Sequence, residues 1–341
     1  MNIRSTRSIT VAGLVALIPI FAPAKAGTEK ESIAHAHQLV NDYYGDSRNL
    51  AEAASVIAEV LRKNPSAADA YVEAARIAAK GGHIVSDQFQ SGTQDLYQNL
   101  IDKALSLDPE NVTALALRAQ IYLMAGNTAD AFTTIQRGLE LSPKEPWLQV
   151  ELAEYYRRKK EAGKALGIYN TILGGHECES NAEYGRACLV ALMAQIELFN
   201  SFPSNADIVR ALAKRAGALR HPRDAWTLGE LGRYFAEMDL LDESIEYSRH
   251  ALKVMNFGVG RLNLAVALYT KAVLLGEQGE SNLKYLQEAD RLQVSEEEVL
   301  GWFVSATPVA KAHAPAVRAM FERRATRTKS RGSKGDTSRR L

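Results

Sequence analysis

Two consecutive stretches of 34 residues decide the fold: PENVTALALRAQIYLMAGNTADAFTTIQRGLELS at 109–142 and PKEPWLQVELAEYYRRKKEAGKALGIYNTILGGH at 143–176. Each begins with a proline, has a small residue ten places later, and an aromatic or bulky residue three places beyond that. These landmarks recur inside and outside the two stretches: Ala119 then Tyr122, Ala153 then Tyr156, Gly232 then Phe235. A fixed period of this length predicts a repeat architecture.

A second helix follows within each repeat, and its small and bulky residues also recur. They are Ala131, Ile135 and Gly138, then Ala165, Tyr169 and Ile172, with Ser244 and Ala251 farther along. Small residues let two antiparallel helices approach closely, and bulky residues fill the space beside them. The pattern therefore predicts pairs of packed helices.

The residues Leu228, Leu231, Gly232 and Phe235 carry most of a known first-helix signature. With the 34-residue period, the pattern resembles the tetratricopeptide repeat, a helix-turn-helix unit. The resemblance implies an all-α fold, a right-handed α-α superhelix, or solenoid, that stacks such pairs. Abundant alanine and leucine, and the absence of alternating β-branched runs, agree with an almost wholly helical chain.

Counting from the proline anchor gives about seven repeats. The equivalent positions are Glu31, Pro65, Pro109, Pro143, Glu177, Pro222 and Asn256. Two steps are longer, at 44 and 45 residues, and their extra residues lie at 81–92 and around 199–205. Lengthening a surface loop costs only about 0.6 kcal/mol per doubling, so the stack can accommodate both. The first repeat is weak and the last, 258–295, is irregular, as terminal repeats usually are.

The N-terminus has the features of a cleaved export signal. Arg4 and Arg7 precede an apolar stretch from Ile9 to Ala22, and Ala24-Lys25-Ala26 offers small residues at the cleavage positions. An uncleaved membrane anchor is the alternative, but 14 apolar residues interrupted by proline fall short of the roughly 20 that span a bilayer. We expect residues 1–26 to be a signal peptide and the mature protein to be periplasmic or secreted.

Charge divides the chain unequally. Residues 27–310 contain 28 bases and 38 acids, a net of −10, whereas residues 311–341 contain ten bases and two acids, a net of +8. We assign 27–310 to the solenoid with a capping helix and 311–341 to a basic, largely disordered tail. That tail could bind an anionic membrane, a polyanion or an acidic partner, or remain solvated beside the acidic body. Nucleic acid is not expected, because no aromatic residues interleave the basic ones.

The two cysteines, Cys178 and Cys188, are ten residues apart. A helix starting near Ser180 would place their sulfurs roughly 12–15 Å apart at 1.5 Å per residue, too far for a bridge. The sequence thus favours Cys188 as a small packing residue and Cys178 as a free thiol in a turn. A later helix start would permit a bridge, and export would permit an intermolecular one.

Catalytic and metal-binding motifs are lacking. The run from His176 to Glu179 has metal-binding residue types but not the spacing that directs ligands to one point. His35 and His37 point about 200° apart on a helix. No phosphate-binding loop or nucleophile elbow is present. We therefore expect a protein that is not an enzyme and needs no metal or cofactor.

In the tetratricopeptide family, side chains two, five, nine and twelve places into each repeat face a ligand in the concave groove. Here the resemblance nominates Asp69, Val72, Arg76, Thr113, Gln120, Leu123, Trp147, Val150, Glu154, Arg157, Asn181, Tyr184, Trp226 and Arg233. The three aromatic side chains could anchor a peptide, and the arginines could bind carboxylates or carbonyls. The alternative is that the tryptophans pack between repeats and the arginines pair with nearby acids such as Glu154.

These features predict a protein–protein interaction scaffold of the cell envelope that binds a peptide or partner protein in its groove, as in the assembly of an envelope or secretion complex. One alternative is an accessory subunit of a polysaccharide-handling or other enzyme complex, in which Asp69 and Glu154 would bind sugar hydroxyls. Another is a surface-tethering protein that uses the basic tail on a membrane. The partner's identity and the oligomeric state are not encoded in a pattern that mainly preserves packing.

Overall fold

The computed structural model describes residues 27–85, 88–175, 177–200 and 202–335, with backbone alone for 83–85, 88 and 327–335. The predicted signal peptide, residues 1–26, and His176 lie outside the described residues. The chain forms two compact units, which divide between Ile172 and Leu173. Each unit is described by itself.

The first unit consists of helix pairs and one short hairpin. Its elements are α1 (Glu29–Asn41), α2 (Ser47–Lys63), α3 (Ala68–Gly82), β1 (His83–Val85), β2 (Gln88–Phe89), α4 (Thr93–Leu107), α5 (Val112–Met124), α6 (Thr128–Leu141), α7 (Pro146–Arg158) and α8 (Ala162–Leu173). Helix α1 packs on α2, α3 on α4 and α5 on α6, and α5 also packs on α7, as α1 does on α3.

The second unit continues the pairs and adds helices at its end. Its elements are α9 (Glu177–Ser180), α10 (Ala182–Phe199), a 3-10 turn (Pro203–Asn205), α11 (Ala206–Leu219), α12 (Ala225–Glu237), α13 (Leu241–Val254), α14 (Gly258–Glu277), α15 (Leu283–Arg291), α16 (Glu296–Ser305), α17 (Pro308–Lys311) and α18 (Ala314–Gly335). The described residues thus contain seven helix pairs, which confirms the all-α repeat fold and the predicted number. We call α1, α3, α5, α7, α10, α12 and α14 the first helices, and their partners in each pair the second helices.

Local sequence explains where the helices begin. Thr28 and Glu31 form a capping box at α1, each side chain bonding the other residue's backbone N–H. The Asn111 side chain accepts from Ala114 N at 3.0 Å at the start of α5. Pro146 occupies the first turn of α7, where its missing N–H costs no helical bond.

Glycine permits a close approach both within a helix pair and between neighbouring pairs. A Cβ at Gly138 on α6 would lie 2.5 Å from Leu148 Cδ1 on α7 of the next pair, and one at Gly232 on α12 would lie 2.2 Å from Ser248 Oγ on α13 of the same pair. The Ser244 hydroxyl also donates to Gly232 O at 2.7 Å across the same contact. The recurring small residues therefore act as the sequence predicts, because a larger residue would push the helices apart.

Both predicted insertions lie where the long repeats place them. Of the predicted insertion at 81–92, residues 81 and 82 end α3, and residues 83–92 lead to α4 and include the antiparallel hairpin, with His83 opposite Phe89. This hairpin is a small departure from the predicted absence of strands. The second insertion lengthens α10 to 18 residues and adds the 3-10 turn. Neither changes the pairing of the neighbouring helices.

Helix α14 forms the centre of the second unit. Its side chains from Leu264 to Tyr269 are buried and pack with residues of α13, α15, α16 and α18. Within the described residues it is the one helix long and apolar enough to cross a membrane, and most of its apolar stretch is buried inside this core. Burial in the core accounts for its composition.

The predicted boundary at residue 310 is wrong. Helix α18 begins at Ala314, and its Val317, Met320 and Phe321 are buried in the core of the second unit. Phe321 packs edge to face on Tyr269, with ring centroids 4.9 Å apart. Three apolar residues at helical spacing thus anchor the start of a segment whose composition is otherwise that of a tail.

The cysteines are bridged, contrary to the expectation of a free Cys178. The Cys178–Cys188 disulfide joins α9 to α10, with Cα atoms 5.8 Å apart. The chain leaves the helical conformation at Asn181, which has φ −128° and ψ 120° and caps α10. That break folds α9 back so closely that a Cβ on Gly185 would lie 2.8 Å from Cys178 O. The predicted helix start near Ser180 was close to the observed one, but the 12–15 Å distance failed because it took no account of α9 folding back at Asn181.

Candidate peptide-binding faces

The predicted groove residues lie on five first helices, α3, α5 and α7 in the first unit and α10 and α12 in the second. Asn181 precedes α10 as its N-cap. Within each unit, the repeat resemblance places these residues on one side of the helix pairs. Their exposure and partners decide which of them a ligand could reach.

Three polar residues of the first unit are exposed: Asp69, Thr113 and Gln120. Asp69 Oδ1 accepts from Asn111 Nδ2 at 2.7 Å. Gln120 Oε1 accepts from the Tyr97 hydroxyl at 3.0 Å. Burial raises the pKa of Tyr97, and the nearby Glu151 raises it further, so this hydroxyl stays protonated and donates. These bonds orient two of the three side chains.

Three predicted apolar contacts are not available, which corrects the prediction. Val72, Leu123 and Val150 are at most 6% exposed. Val72 packs with Ala104 and Ala114 in a small core cluster. Packing against neighbouring helices, including that of α5 on α7, covers positions that the family pattern assigns to the ligand. They stabilise the unit rather than contact a partner.

Arg76 is held inside a polar cluster at the contact of α1 and α3. Its Nη1 lies 3.0 Å from both Glu73 carboxylate oxygens, and its Nη2 donates to Asn41 Oδ1 at 2.5 Å. His37 Nδ1 lies 2.8 Å from the same Glu73 carboxylate. Because Glu73 is buried, the guanidinium compensates its charge.

Arg157 is likewise engaged with its own helix. Its Nε donates to Glu154 Oε2 at 2.6 Å and its Nη2 to Glu154 Oε1 at 3.0 Å. Arg158 Nε donates to the same carboxylate at 2.6 Å. The expected alternative, in which the arginines pair with neighbouring acids, is therefore observed at Arg76 and Arg157.

In the second unit, Arg233 sits between two carboxylates on α12. Its guanidinium lies 2.7 Å from Glu230 Oε2 and 2.7 Å from Glu237 Oε1. Burial raises the pKa of Glu237, and Arg233 only partly opposes that rise. Burial would lower the pKa of Arg233, but the two carboxylates outweigh it and raise that pKa. Arg233 thus forms ion pairs with both Glu230 and Glu237, and Glu230 is the more exposed of the two acids.

The predicted aromatic residues differ in exposure. Trp226 is 45% exposed, and its ring centroid lies 4.7 Å from that of Phe257. A Cβ at Gly229 or Gly260 would come within 2.9 Å of the Phe257 ring, so two glycines make room for it. Trp147, next to Pro146, and Tyr184 are half-buried. Trp226 is thus the most accessible of the three predicted anchors.

The Asn181 side chain caps the start of α10. Its Oδ1 accepts from Glu183 N at 2.9 Å and Tyr184 N at 3.2 Å, as expected of an N-cap. Phe257 and Glu230, by contrast, were not predicted, although each lies beside a predicted residue. For Glu230 the sequence offered a signal, because the same E-x-x-R spacing occurs at Glu73 and Arg76.

These faces offer contacts for recognition. They combine exposed amide, hydroxyl and carboxylate groups with one accessible indole, a mixture that suits an extended peptide or a partner's helix. Among the described residues, no group of three or more His, Cys, Asp or Glu side chains is placed to hold a metal ion.

Comparison with known proteins identifies the repeats. Residues 42–83 and 100–133 each match a family model described as tetratricopeptide repeat. No curated protein sequence matches the chain. The chain therefore contains tetratricopeptide repeats, in agreement with the resemblance of its packing residues.

Solved structures similar to this chain include two complexes of a human protein. The human IFIT1 dimer with PPP-AAAA has a TM-score of 0.56 and 15% identity, over 81% of this chain and 63% of that chain. The complex with m7Gppp-AAAA has a TM-score of 0.57 and 16% identity, over 81% and 62%. A tetratricopeptide repeat protein from Parabacteroides merdae has a TM-score of 0.41 and 15% identity, over 85% and 98%. The chain thus spans less than two thirds of the IFIT1 chain, and the likeness to IFIT1 is one of fold.

Proposed function

We propose that this protein, which contains tetratricopeptide repeats, is a non-catalytic protein–protein interaction scaffold of the cell envelope. It binds an extended peptide or a helix of a partner protein against its first helices. Such repeats generally present a helical surface to protein partners. The proposal assigns that role to the exposed positions of α5 and α12.

The observation that carries the proposal is the alternation of buried and exposed residues on α5. Thr113 and Gln120 are exposed, whereas Leu115, Ala116 and Ala119 between them are buried. The helix is therefore fixed by packing on its buried side and presents polar groups at a regular spacing on the other. A rigid element of this kind loses little conformational entropy when a partner binds.

The second unit supports the same role through Trp226. An exposed indole seated on another aromatic ring is a common energetic centre of protein interfaces. Glu230, one turn along the same helix, remains accessible for a polar contact. An aromatic anchor beside a charged group fits a peptide side chain and its backbone.

Export is part of the proposal. Disulfides persist mainly in oxidising compartments such as the periplasm or the extracellular space. The Cys178–Cys188 bridge is therefore consistent with the export signal expected in residues 1–26. A partner would then belong to the envelope or to a secreted assembly.

A saccharide-handling role receives less support. The acids that would bind sugar hydroxyls are already engaged, because Glu154 accepts from Arg157 and Arg158, and Asp69 accepts from Asn111. We therefore favour a protein partner. Tethering of the protein to a membrane through the basic segment 311–341 would not use the exposed face of α5.

Affinity capture from envelope extracts tests the proposal. The variant T113R/Q120R places two bulky cations on the exposed face of α5, and we expect partner recovery to fall about tenfold or more. The matched control T133R/Q136R makes the same two exchanges at exposed positions of α6, a second helix. Equal recovery by both variants would overturn the assignment. If T113R/Q120R alone abolished binding to a glycan, the ligand of this face would be a saccharide rather than a protein.

A further inference from the structure

The turn between α7 and α8 carries an unusual concentration of positive charge. We define the basic turn as Arg157, Arg158, Lys159, Lys160 and Lys164. Only Glu154 and Glu161 oppose these five bases between residues 154 and 164, which leaves a net of +3. Residues 27–172 as a whole contain 15 bases and 19 acids, a net of −4. The basic turn is thus a positively charged segment of a unit whose net charge is negative.

Helix energetics alone do not require these charges. Cations in a last turn are favourable to the helix dipole, but one or two are enough. The equivalent first helices α5 and α12 have no basic residue in their last turn. Like charges crowded into one turn repel each other. Three of the five bases form ion pairs within this segment, Arg157 and Arg158 with Glu154 and Lys164 with Glu161. These pairs do not involve Lys159 and Lys160, which are exposed.

Lys160 also has an unusual backbone conformation for a residue other than glycine. It has φ +62°, in the left-handed region that favours glycine. The residue 34 positions earlier in the repeat, Gly126, has φ +75° at the corresponding turn. The corresponding turn of the second unit has Asp239 at φ +64°, so charged residues occupy this position in two of these three turns. Departures of this kind are concentrated at functional sites.

The surroundings of the basic turn are aromatic and partly exposed. Phe132 stacks on Tyr155 with centroids 4.8 Å apart, and Tyr155 meets Tyr156 at 5.2 Å. Lys164 Nζ lies 4.9 Å from the centre of the Tyr156 ring and 2.5 Å from Glu161 Oε2. Lys159 and Lys160 are exposed. A ligand would meet two lysines beside a partly exposed aromatic surface.

We propose that the basic turn is a docking site for an acidic peptide segment, rich in Asp and Glu, of a partner protein. The small net charge favours a peptide over nucleic acid, because nucleic-acid affinity grows with the number of phosphates that basic side chains neutralise. A net of +3 suits two or three carboxylates. The site is separate from the exposed positions of α5, so it stands or falls independently of the proposed binding face.

Fluorescence anisotropy with the full chain at low ionic strength tests the site. The probe is a labelled decapeptide of alternating Glu and Ala, compared with its Gln-Ala counterpart. We expect the acidic probe to bind more tightly, and K159A/K160G to weaken its binding about tenfold. The glycine suits the left-handed turn, so this variant should remain folded.

The control K30A/K103A removes two exposed lysines elsewhere in the first unit and should change binding less than about twofold. Equal weakening by both variants, or equal binding of the two probes, would overturn the proposal. So would an oligonucleotide that binds through Lys159 and Lys160 while the acidic peptide does not. Loss of self-association in K159A/K160G, measured by sedimentation, would instead identify a second copy as the occupant and would also overturn it.

Discussion

Arg233 Nη1 lies 2.7 Å from Glu237 Oε1, one turn apart on α12, and the Glu237 side chain is only 10% exposed. Removing the cation would leave a buried carboxylate without its main compensation. We expect R233A to lower the free energy of unfolding by about 3 kcal/mol. Urea denaturation followed by circular dichroism measures this loss. R210A, which removes a surface pair with Glu243, should cost less than about 1 kcal/mol.

The same pair predicts a pH dependence. Burial raises the pKa of Glu237 above its ordinary value of 4.5. A raised folded pKa means that ionisation is more costly in the folded chain, so this group opposes folding increasingly as the pH rises above 4.5. The variant E237Q removes that dependence. We therefore expect E237Q to gain stability relative to the natural chain between acidic and neutral pH, and a constant difference would contradict the assignment.

The close contact of α12 and α13 predicts opposite effects of alanine at two glycines. At Gly232 the added methyl would collide with Ser248, so G232A should destabilise the chain by about 1–3 kcal/mol. At Gly217, within α11, nothing lies within 4 Å of the new Cβ. There the better helix propensity of alanine should stabilise the chain by about 1 kcal/mol. Thermal denaturation of both variants distinguishes a packing role from a general preference for glycine.

The Cys178–Cys188 disulfide predicts a response to reduction. Reduction should destabilise the chain by about 2–4 kcal/mol, because the bridge restricts a short loop in the unfolded state. Urea denaturation with and without dithiothreitol measures the loss. The double variant C178A/C188A should show no response to the reductant. A natural chain that is equally stable in both conditions would show that the thiols are not paired.

The packed start of α18 is also testable. F321A should cost about 3 kcal/mol because the ring is buried against Tyr269. A chain ending after Thr326 should keep its stability, since it retains Val317, Met320 and Phe321. If F321A is as stable as the natural chain, this helix belongs to a tail after all.

Asp290 gives the same helix an acid-dependent contact. Burial would raise the pKa of Asp290, but hydrogen bonds from Arg324 and Tyr269 outweigh that effect and lower it. The contact therefore stabilises the chain above the ordinary value of 3.8 and is lost as the pH falls below it. D290N should remove this part of the acid sensitivity, as measured by unfolding at successive pH values.

The fold could be predicted because packing residues obey a fixed period. Ala119 and Ala153 are fully buried at equivalent places, and the long repeats correctly located the two insertions. The disulfide could not be predicted in this way, because a single break at Asn181 redirects the chain. The start of α18 was missed because three apolar residues are interspersed among many basic ones.

The candidate site was predicted only in part, for a related reason. Repeat position identifies which side of a first helix a residue occupies, but not how closely the next helix approaches. Val72 and Val150 are therefore buried, while Thr113 and Gln120 at other positions are exposed. The pairing of Arg157 with Glu154 depends on side-chain geometry that the period does not specify.

Site-specific photo-crosslinking in cells tests the central claim most directly. A benzoyl-phenylalanine placed at Thr113 or Gln120 on α5 should capture a partner protein, whereas the same probe at Thr133 or Gln136 on α6 should not. Thr133 and Gln136 belong to a second helix, and all four positions are exposed. Adducts that form equally from α6, or only from α6, would contradict a partner-binding surface on the first helices.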